Sequence, residues 1–530
     1  MKNNKVALFD TTLRDGSQSA GISFSSEDRI KIAKALDEFG IDYIEGGWPG
    51  SNPNDESFFR EMNKSVKLKK AKLVAFGSTR RKGNSAQDDI NLDGIVKSKT
   101  EYAAIFGKSW DLHVIHALRA TLEENLEMIE DSVKFLNQKN MKVIFDAEHF
   151  FDGFKANKEY ALKTIETARN AGAVNITLCD TNGGTMPGDI SEIMREINKK
   201  FPDNFPLGIH AHNDSDCAVA NSIIAIKEGA VLVQGTINGY GERCGNANLC
   251  SIIPNIELKL GVKCLPEGKL KAISELSRYV SEIANVIPYD HQPYVGGSAF
   301  AHKAGIHVSA ILRHSKTYEH IDPILVGNER KILISELAGK SNVLAKMKEL
   351  NLEVTNENDA SGKIIDTVKK MELKGYQYED ADASFTILVD KSLGKYKPFF
   401  ELKDFRVVVE KQAETGFMHS EAIIKLSVNG IVEHTVAEGD GPVNALDNAL
   451  RKALEKFYPE LKEVALSDFK VRIIDGKVGT RAITRVLIES RDKKESWGTI
   501  GVSENIIEAS WQALTEAIEF KLLKENKKHF

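Results

Sequence analysis

The sequence predicts an α/β protein with an N-terminal (β/α)8 TIM barrel over residues 1–275, mainly helical linker subdomains over 276–395 and a C-terminal α+β domain over 396–530. Three observations predict it. Short apolar runs recur through the first half of the chain. Amphipathic segments alternate with them. After about residue 396 the texture turns strand-rich a second time.

The apolar runs occupy residues 6–10, 43–47, 73–77, 102–107, 143–147, 174–180, 207–212 and 231–236. Their spacing of roughly 25 to 40 residues is the length of a βα unit. Between them, residues 26–39 place Ile30, Ala33, Leu36 and Ile32, Ala35, Phe39 at a helical period. Residues 121–138 and 158–171 repeat the pattern. Eight such units close a barrel near residue 270. The competing doubly wound sheet would favour a Gly-x-Gly-x-x-Gly after its first strand, and none follows this one.

Residues 271–390 carry helical periods, broken by a polar insert with Gly and His at 296–320. Beyond them, strands are expected at 405–410, 421–429, 469–474 and 482–490, and helices at 442–457 and 503–523. Gly439-Asp440-Gly441-Pro442 reads as a turn with proline at a first helical position, since no Gly-Lys-Ser/Thr follows.

Lys+Arg total 71 against 76 Asp+Glu, a net charge of −5. That balance argues against nucleic-acid and membrane-surface partners, which select concentrated positive charge. The five cysteines form no Cys-x-x-Cys pair and read as free thiols in a reducing compartment. With no apolar leader at the N-terminus and no apolar run long enough to span a bilayer, a cytoplasmic location is expected.

In this fold the chemistry sits at the C-terminal ends of the strands. The unusual residues fall there: Asp10-Thr11-Thr12-Leu13-Arg14-Asp15-Gly16, Asp146-Ala147-Glu148-His149, Asp180-Thr181-Asn182, His210-Ala211-His212-Asn213-Asp214 and Gly241-Glu242-Arg243-Cys244-Gly245-Asn246. His210 and His212 stand two apart on a strand, so both imidazoles face the same way. Two imidazoles and a carboxylate make a common divalent site with open positions for substrate. Asp15 is the carboxylate chosen, and Asn246 is a further oxygen, as weak ligand or as partner of a ligand. That set suits Zn, Mn or Co, and Mg less well. Arg14 beside such a metal suits a 2-keto acid, whose oxygen it can polarise. Glu148 has two readings, a structural partner or a general base. Thr181 also has two, a donor to a substrate carboxylate or a strand-end turn residue. The insert Gly297-Ser298-Ala299-Phe300-Ala301-His302-Lys303-Ala304-Gly305-Ile306-His307, with Tyr318 following, reads as a polar lid or as a surface loop.

Together these motifs resemble the α-isopropylmalate synthase and homocitrate synthase family. The resemblance is carried by residues 10–18, 210–214 and 241–246, by the insert ending at His307, and by 439–446 and 497–503 in the last domain. It covers nearly the whole chain in the family's domain order. Residues 46–53 and 317–323 are similar to the branch that condenses pyruvate with acetyl-CoA.

The resemblance implies an acyltransferase of EC 2.3.3 type with a divalent metal and acetyl-CoA as cosubstrate. It implies Glu148 and His307 in acid–base work, Tyr318 assisting, and His302 as a weaker candidate. It also implies a homodimer and a C-terminal regulatory domain that binds a branched-chain amino acid effector, isoleucine for this branch. Sister synthases acting on 2-ketoisovalerate or 2-oxoglutarate are the nearest rivals. A metal-dependent acyl-CoA lyase is the rival from another class, and the domain over 396–530 weighs against it. Val308-Ser309 departs from the Gln-Asp that relatives often carry there, which leaves the lid's polar contacts open.

Overall fold

The apolar runs form the eight parallel strands of a closed barrel in sequential order. They are β1 (Ala7–Asp10), β2 (Tyr43–Glu45), β3 (Lys72–Ser78), β4 (Tyr102–Lys108), β5 (Lys142–Glu148), β6 (Asn175–Asp180), β7 (Leu207–Ala211) and β8 (Leu232–Gly235). β8 returns to pair with β1 through Ala7↔Leu232 to Asp10↔Gly235. The computed structural model describes residues 5–201, 205–334, 340–350, 352, 357–411, 413, 416, 418–474 and 482–527. The chain divides into two compact units, residues 1–300 with 321–329, and residues 301–320 with 330–530.

Helices cover the barrel's outer face, so β6, β7 and β8 are buried along their whole length. Local sequence sets the helix ends. Ser25 caps α1 (Ser26–Phe39) by accepting from the Asp28 N–H, while the Asp28 carboxylate accepts from Ser25 in return. Gly40, at φ 111°, ends that helix in the left-handed region. Ile32, Ala33, Leu36 and Phe39 form its buried face. The expected helices at 121–138 and 158–171 are found as Leu122–Gln138 and Lys158–Asn170, capped by Thr121 and Asn157.

The second unit opens with a short parallel pair, β9 (Ala301–His302) and β10 (Lys331–Ile332), around the helix Gly305–Arg313. Helices Lys340–Glu349, Glu357–Leu373 and Asp382–Ser392 follow. Then one plan is used twice. β11 (Glu401–Lys411), β12 (Met418–Val428) and β13 (Ile431–Gly439) form an antiparallel sheet followed by the helix Pro442–Leu454. β14 (Ala465–Ile473), β15 (Thr484–Arg491) and β16 (Ser496–Ser503) form another, followed by Ile506–Lys527. Alternate residues of β12, from Ala422 to Val428, join Ala445, Leu446, Ala449 and Leu450 in one apolar core. Pro442 stands in the first turn of its helix, as its sequence position predicts.

The sequence reading misses β13 and β16. For β13 a signal was present: Asn429 and Gly430, at φ 50° and 83°, make a two-residue hairpin that pairs Val428 with Ile431. Charged and polar residues along this half-exposed edge strand mask its alternation. β16 carries two glycines, which lower its β propensity; its pairing with β15 and the helix packed behind it override that. Among the described residues, no helix is long and apolar enough to cross a membrane.

Candidate metal centre and active site

Arg14, Asp15, Glu148, Thr181, His210 and His212 all line one cavity of about 230 Å³ at the C-terminal ends of the barrel strands. His210 is the penultimate residue of β7, with His212 just beyond the strand's end, and Asp15 follows β1. The Nε2 atoms of the two imidazoles are 3.3 Å apart. Asp15 Oδ2 lies 3.5 Å from the first and 3.9 Å from the second. Two ligands each ~2.1 Å from one ion stand ~3.0–3.4 Å apart; the imidazole pair falls in that range and the two Asp15 separations lie just above it, so the three atoms converge on one point. All three side chains are buried, and their ligand atoms form a possible metal site.

Protonation fits the same reading. Burial pushes His210 down to about 3, His212 helping, so its imidazole is neutral at physiological pH. Burial lowers His212 too. For Asp15 burial acts upward, but Arg14 and the two imidazoles outweigh it and hold the carboxyl below its usual range. Neutral imidazoles and an ionised carboxylate are the forms that bind a cation.

A row of buried polar groups aims His210. Gln234 on β8 meets His210 Nδ1 through its Oε1 at 2.9 Å, which puts the ring hydrogen on Nδ1 and leaves Nε2 with a lone pair that a cation could use. Gln234 Nε2 donates to Asp146 Oδ1 at 2.8 Å. Burial pushes Asp146 up to about 8, with Glu45 adding to the rise. Asn246 is set by backbone pairing with His212. Its Nδ2 donates to the Tyr240 carbonyl at 3.1 Å, and its buried Oδ1 meets no protein hydrogen-bond partner. The loop before it needs glycine: a Cβ on Gly245, at φ 89°, would fall 2.1 Å from the Gly239 carbonyl oxygen.

Arg14 is held on three sides. Its Nε donates to Glu45 Oε2 at 2.6 Å, its Nη1 is 3.4 Å from Asp15, and its guanidinium stacks 3.8 Å above the Phe76 ring. Burial works against its charge, but Asp15 and Glu45 outweigh burial and keep it protonated. Glu148 forms an ion pair with Lys108, its register partner on β4. The Thr181 hydroxyl oxygen accepts from the His149 N–H at 2.9 Å, so its own hydrogen is available to another acceptor.

His307 and Tyr318 belong to the second unit. Their rings stack there with centroids 4.1 Å apart. His302 faces Glu319 at 3.3 Å, and Glu319 also takes two N–H donors of Arg330. The sequence reading missed Glu45, Lys108, Trp48 and Gln234. Strand parity was the available signal, since Glu45, Lys108 and Gln234 face the barrel interior. All five cysteines are free, as expected.

Fold and site together define a (β/α)8 enzyme with a two-histidine, one-carboxylate centre. Comparison with known proteins agrees. Residues 5–280 match the HMGL-like family, 294–375 the homocitrate synthase post-HMGL domain-like family, and 379–522 the LeuA allosteric (dimerisation) domain. The chain is 56% identical over 519 residues to the (R)-citramalate synthase of Geobacter sulfurreducens, covering 98% of each chain. It is 54% identical over 521 residues to that of Aquifex aeolicus, again over 98% of each. With that of Synechocystis it shares 51% over 530 residues, covering 98% of this chain and 97% of the relative. The chain belongs to the HMGL-like family and, within it, to the (R)-citramalate synthases.

Proposed function

We infer that the chain catalyses the condensation of pyruvate with acetyl-CoA and hydrolysis of the thioester, releasing (R)-citramalate and CoA, as a divalent-metal-dependent acyltransferase. This places it in isoleucine biosynthesis. The observation that carries the reading is the convergence of Asp15, His210 and His212 beside Arg14 in one cavity, in a chain similar end to end to (R)-citramalate synthases.

Asp15, His210 and His212, with Asn246 as a further oxygen, would hold a divalent cation, which would supply Lewis-acid polarisation of the keto oxygen. Zn, Mn and Co suit this donor set, and Mg suits it less. Arg14 orients the keto acid and offsets the charge that grows on its carbonyl oxygen. Thr181 donates its free hydroxyl hydrogen to the substrate carboxylate. Glu148 and His307 share the proton work: one takes a proton from the acetyl methyl, so that this carbon bonds to the keto carbon, and one returns a proton to the new hydroxyl. Tyr318 assists. Water then cleaves the thioester and CoA leaves as the thiol.

The LeuA-like region supports a homodimer, with exposed Val408, Val409, Val471 and Ile473 on the sheets as apolar surface to cover. The same region is assigned a branched-chain amino acid effector, isoleucine, and the chain is divided functionally near residues 275 and 395. Cytoplasmic location follows from the same reading.

The test is free-thiol release from acetyl-CoA with a panel of 2-keto acids, with and without chelator. Pyruvate-selective, chelator-sensitive release is expected. Selectivity for 2-ketoisovalerate or 2-oxoglutarate would move the chain to a sister activity, and no release by folded, metal-replete protein would overturn the reaction.

A further inference from the structure

The sides of the catalytic cavity differ in chemistry. The metal-ligand set, Arg14, Glu148 and Thr181 give it polar and charged surfaces. Among the described lining residues, the aromatic ones are Trp48, Phe76 and Phe106. They form one continuous wall. Phe76 and Phe106 stand on neighbouring strands with ring centroids 5.5 Å apart and nearly parallel. The Trp48 indole meets both edge-on, at 5.5 and 5.6 Å.

Trp48 differs from the other two because it stands on the loop after β2 rather than on a strand. That loop is fixed. Trp48 Nε1 donates to Asn91 Oδ1 at 2.5 Å, and its backbone N–H donates to Asp55 Oδ2 at 2.7 Å. Asn91 is itself 5% exposed and donates through Nδ2 to the Ser78 carbonyl at 2.6 Å. The carboxylate of Asp89 fixes the turn that carries Asn91 by accepting from Asn91 N and Leu92 N at the start of the helix Ile90–Lys97. Gly47 completes the constraint, since a Cβ there would fall 2.6 Å from Asp55 Oδ2. Moving the indole would strand the buried Asn91 acceptor and free a half-buried donor, a cost that holds the ring in place.

We propose that Trp48, locked in place by Asn91, is the residue that limits the keto acid to a methyl substituent. The proposal rests on the reading of this cavity as a 2-keto acid site. The oxygens of such an acid have Arg14, Thr181 and the metal-ligand set to face, which turns its one carbon substituent toward the ring wall. A methyl group meets that wall in contact. An ethyl or isopropyl group needs space the indole fills, and the anchored indole does not yield it. Asn91 acts as a positioning residue.

The experiment compares kcat/KM for pyruvate, 2-ketobutyrate and 2-ketoisovalerate in the full-length metal-replete enzyme and in Trp48→Ala, Trp48→Phe and Asn91→Leu. Thermal melting and calorimetric metal binding serve as folding controls. Trp48→Ala is expected to raise the 2-ketobutyrate-to-pyruvate ratio at least ~10-fold, the scale set by one or two methylenes in an apolar pocket. Asn91→Leu and Trp48→Phe should move it the same way by less, and they carry the test if the alanine variant does not fold. A pyruvate-preferring wild type whose ratio stays within twofold in every folded variant overturns the wall alone. A wild type that prefers the larger acids overturns the synthase reading and the wall together.

Discussion

Two buried clusters, one in each unit, handle charge in opposite ways. In the second unit Lys521 and Asp492 meet at 2.7 Å with side chains only 5% exposed, and the remaining Asp492 oxygen accepts the Lys494 and Glu495 N–H groups. Burial acts upward on Asp492, but Lys521 and those N–H groups outweigh it and hold the carboxyl down at about 2. In the barrel, three buried carboxylates, Asp15, Glu45 and Asp146, share one buried guanidinium, Arg14, and a fourth, Asp10, feels the charge of Glu45. Burial pushes Asp10 up to about 7 and Asp146 to about 8. The first arrangement is balanced and serves stability. The second carries excess acid and two neutral imidazoles, a shortage of positive charge that a divalent cation corrects.

The largest test of this contrast removes the ligands. Asp15→Asn, His210→Ala or His212→Ala should lower citramalate formation by more than about 1,000-fold and abolish tight metal binding. Thermal melting of the metal-free protein should change little, because the apo cluster is not built for stability. A ligand variant that binds metal as tightly as wild type, read by calorimetry, would sink the assignment.

A smaller effect sharpens the comparison through Gln234. Gln234→Leu frees His210 Nδ1 and the row leading to Asp146. Metal affinity should fall about 10- to 100-fold, the usual cost of losing such a partner. An unchanged dissociation constant would mean that the barrel alone orients His210.

The smallest effects are in the pH dependence, where Asp146 and Asp492 have opposite signs. Asp146 has a folded pKa raised above its unfolded value. Its contribution is full in acid and is lost as pH rises from about 4 through about 8. Asp492 has a depressed folded pKa. Its contribution is present above about 4 and is lost as pH falls toward about 2. Hydrogen exchange on β5 should therefore become less pH-dependent between 4 and 8 in Asp146→Asn. Exchange on β16, next to the Asp492 turn, should lose its acid limb in Asp492→Asn. The same shift in both variants would mean that the two clusters are alike.

Much of this was legible in the sequence where a local rule sufficed. The eight βα units followed from periodicity alone, and the structure places a strand in every apolar run. His210 and His212 were legible because a strand's period of two puts both on one face. The edge strand β13 was legible only through its Asn429-Gly430 turn, since its own pattern is masked and it draws its order from β12.

The sequence by itself determined the barrel, the shared face of His210 and His212 and the strand-end positions of Arg14, Asp15 and Glu148, because period, parity and turn chemistry are properties of adjacent residues. Only the tertiary structure decided that Asp15 meets β7 within 3.5 Å. It also decided that Glu45 and Phe76 grip Arg14, that Lys108 pairs with Glu148, and that Asn91 holds Trp48 against two strand phenylalanines. Parity says which face a side chain takes. Closure of the barrel and the register between strands say which faces meet, and those are set by the packing of the whole core.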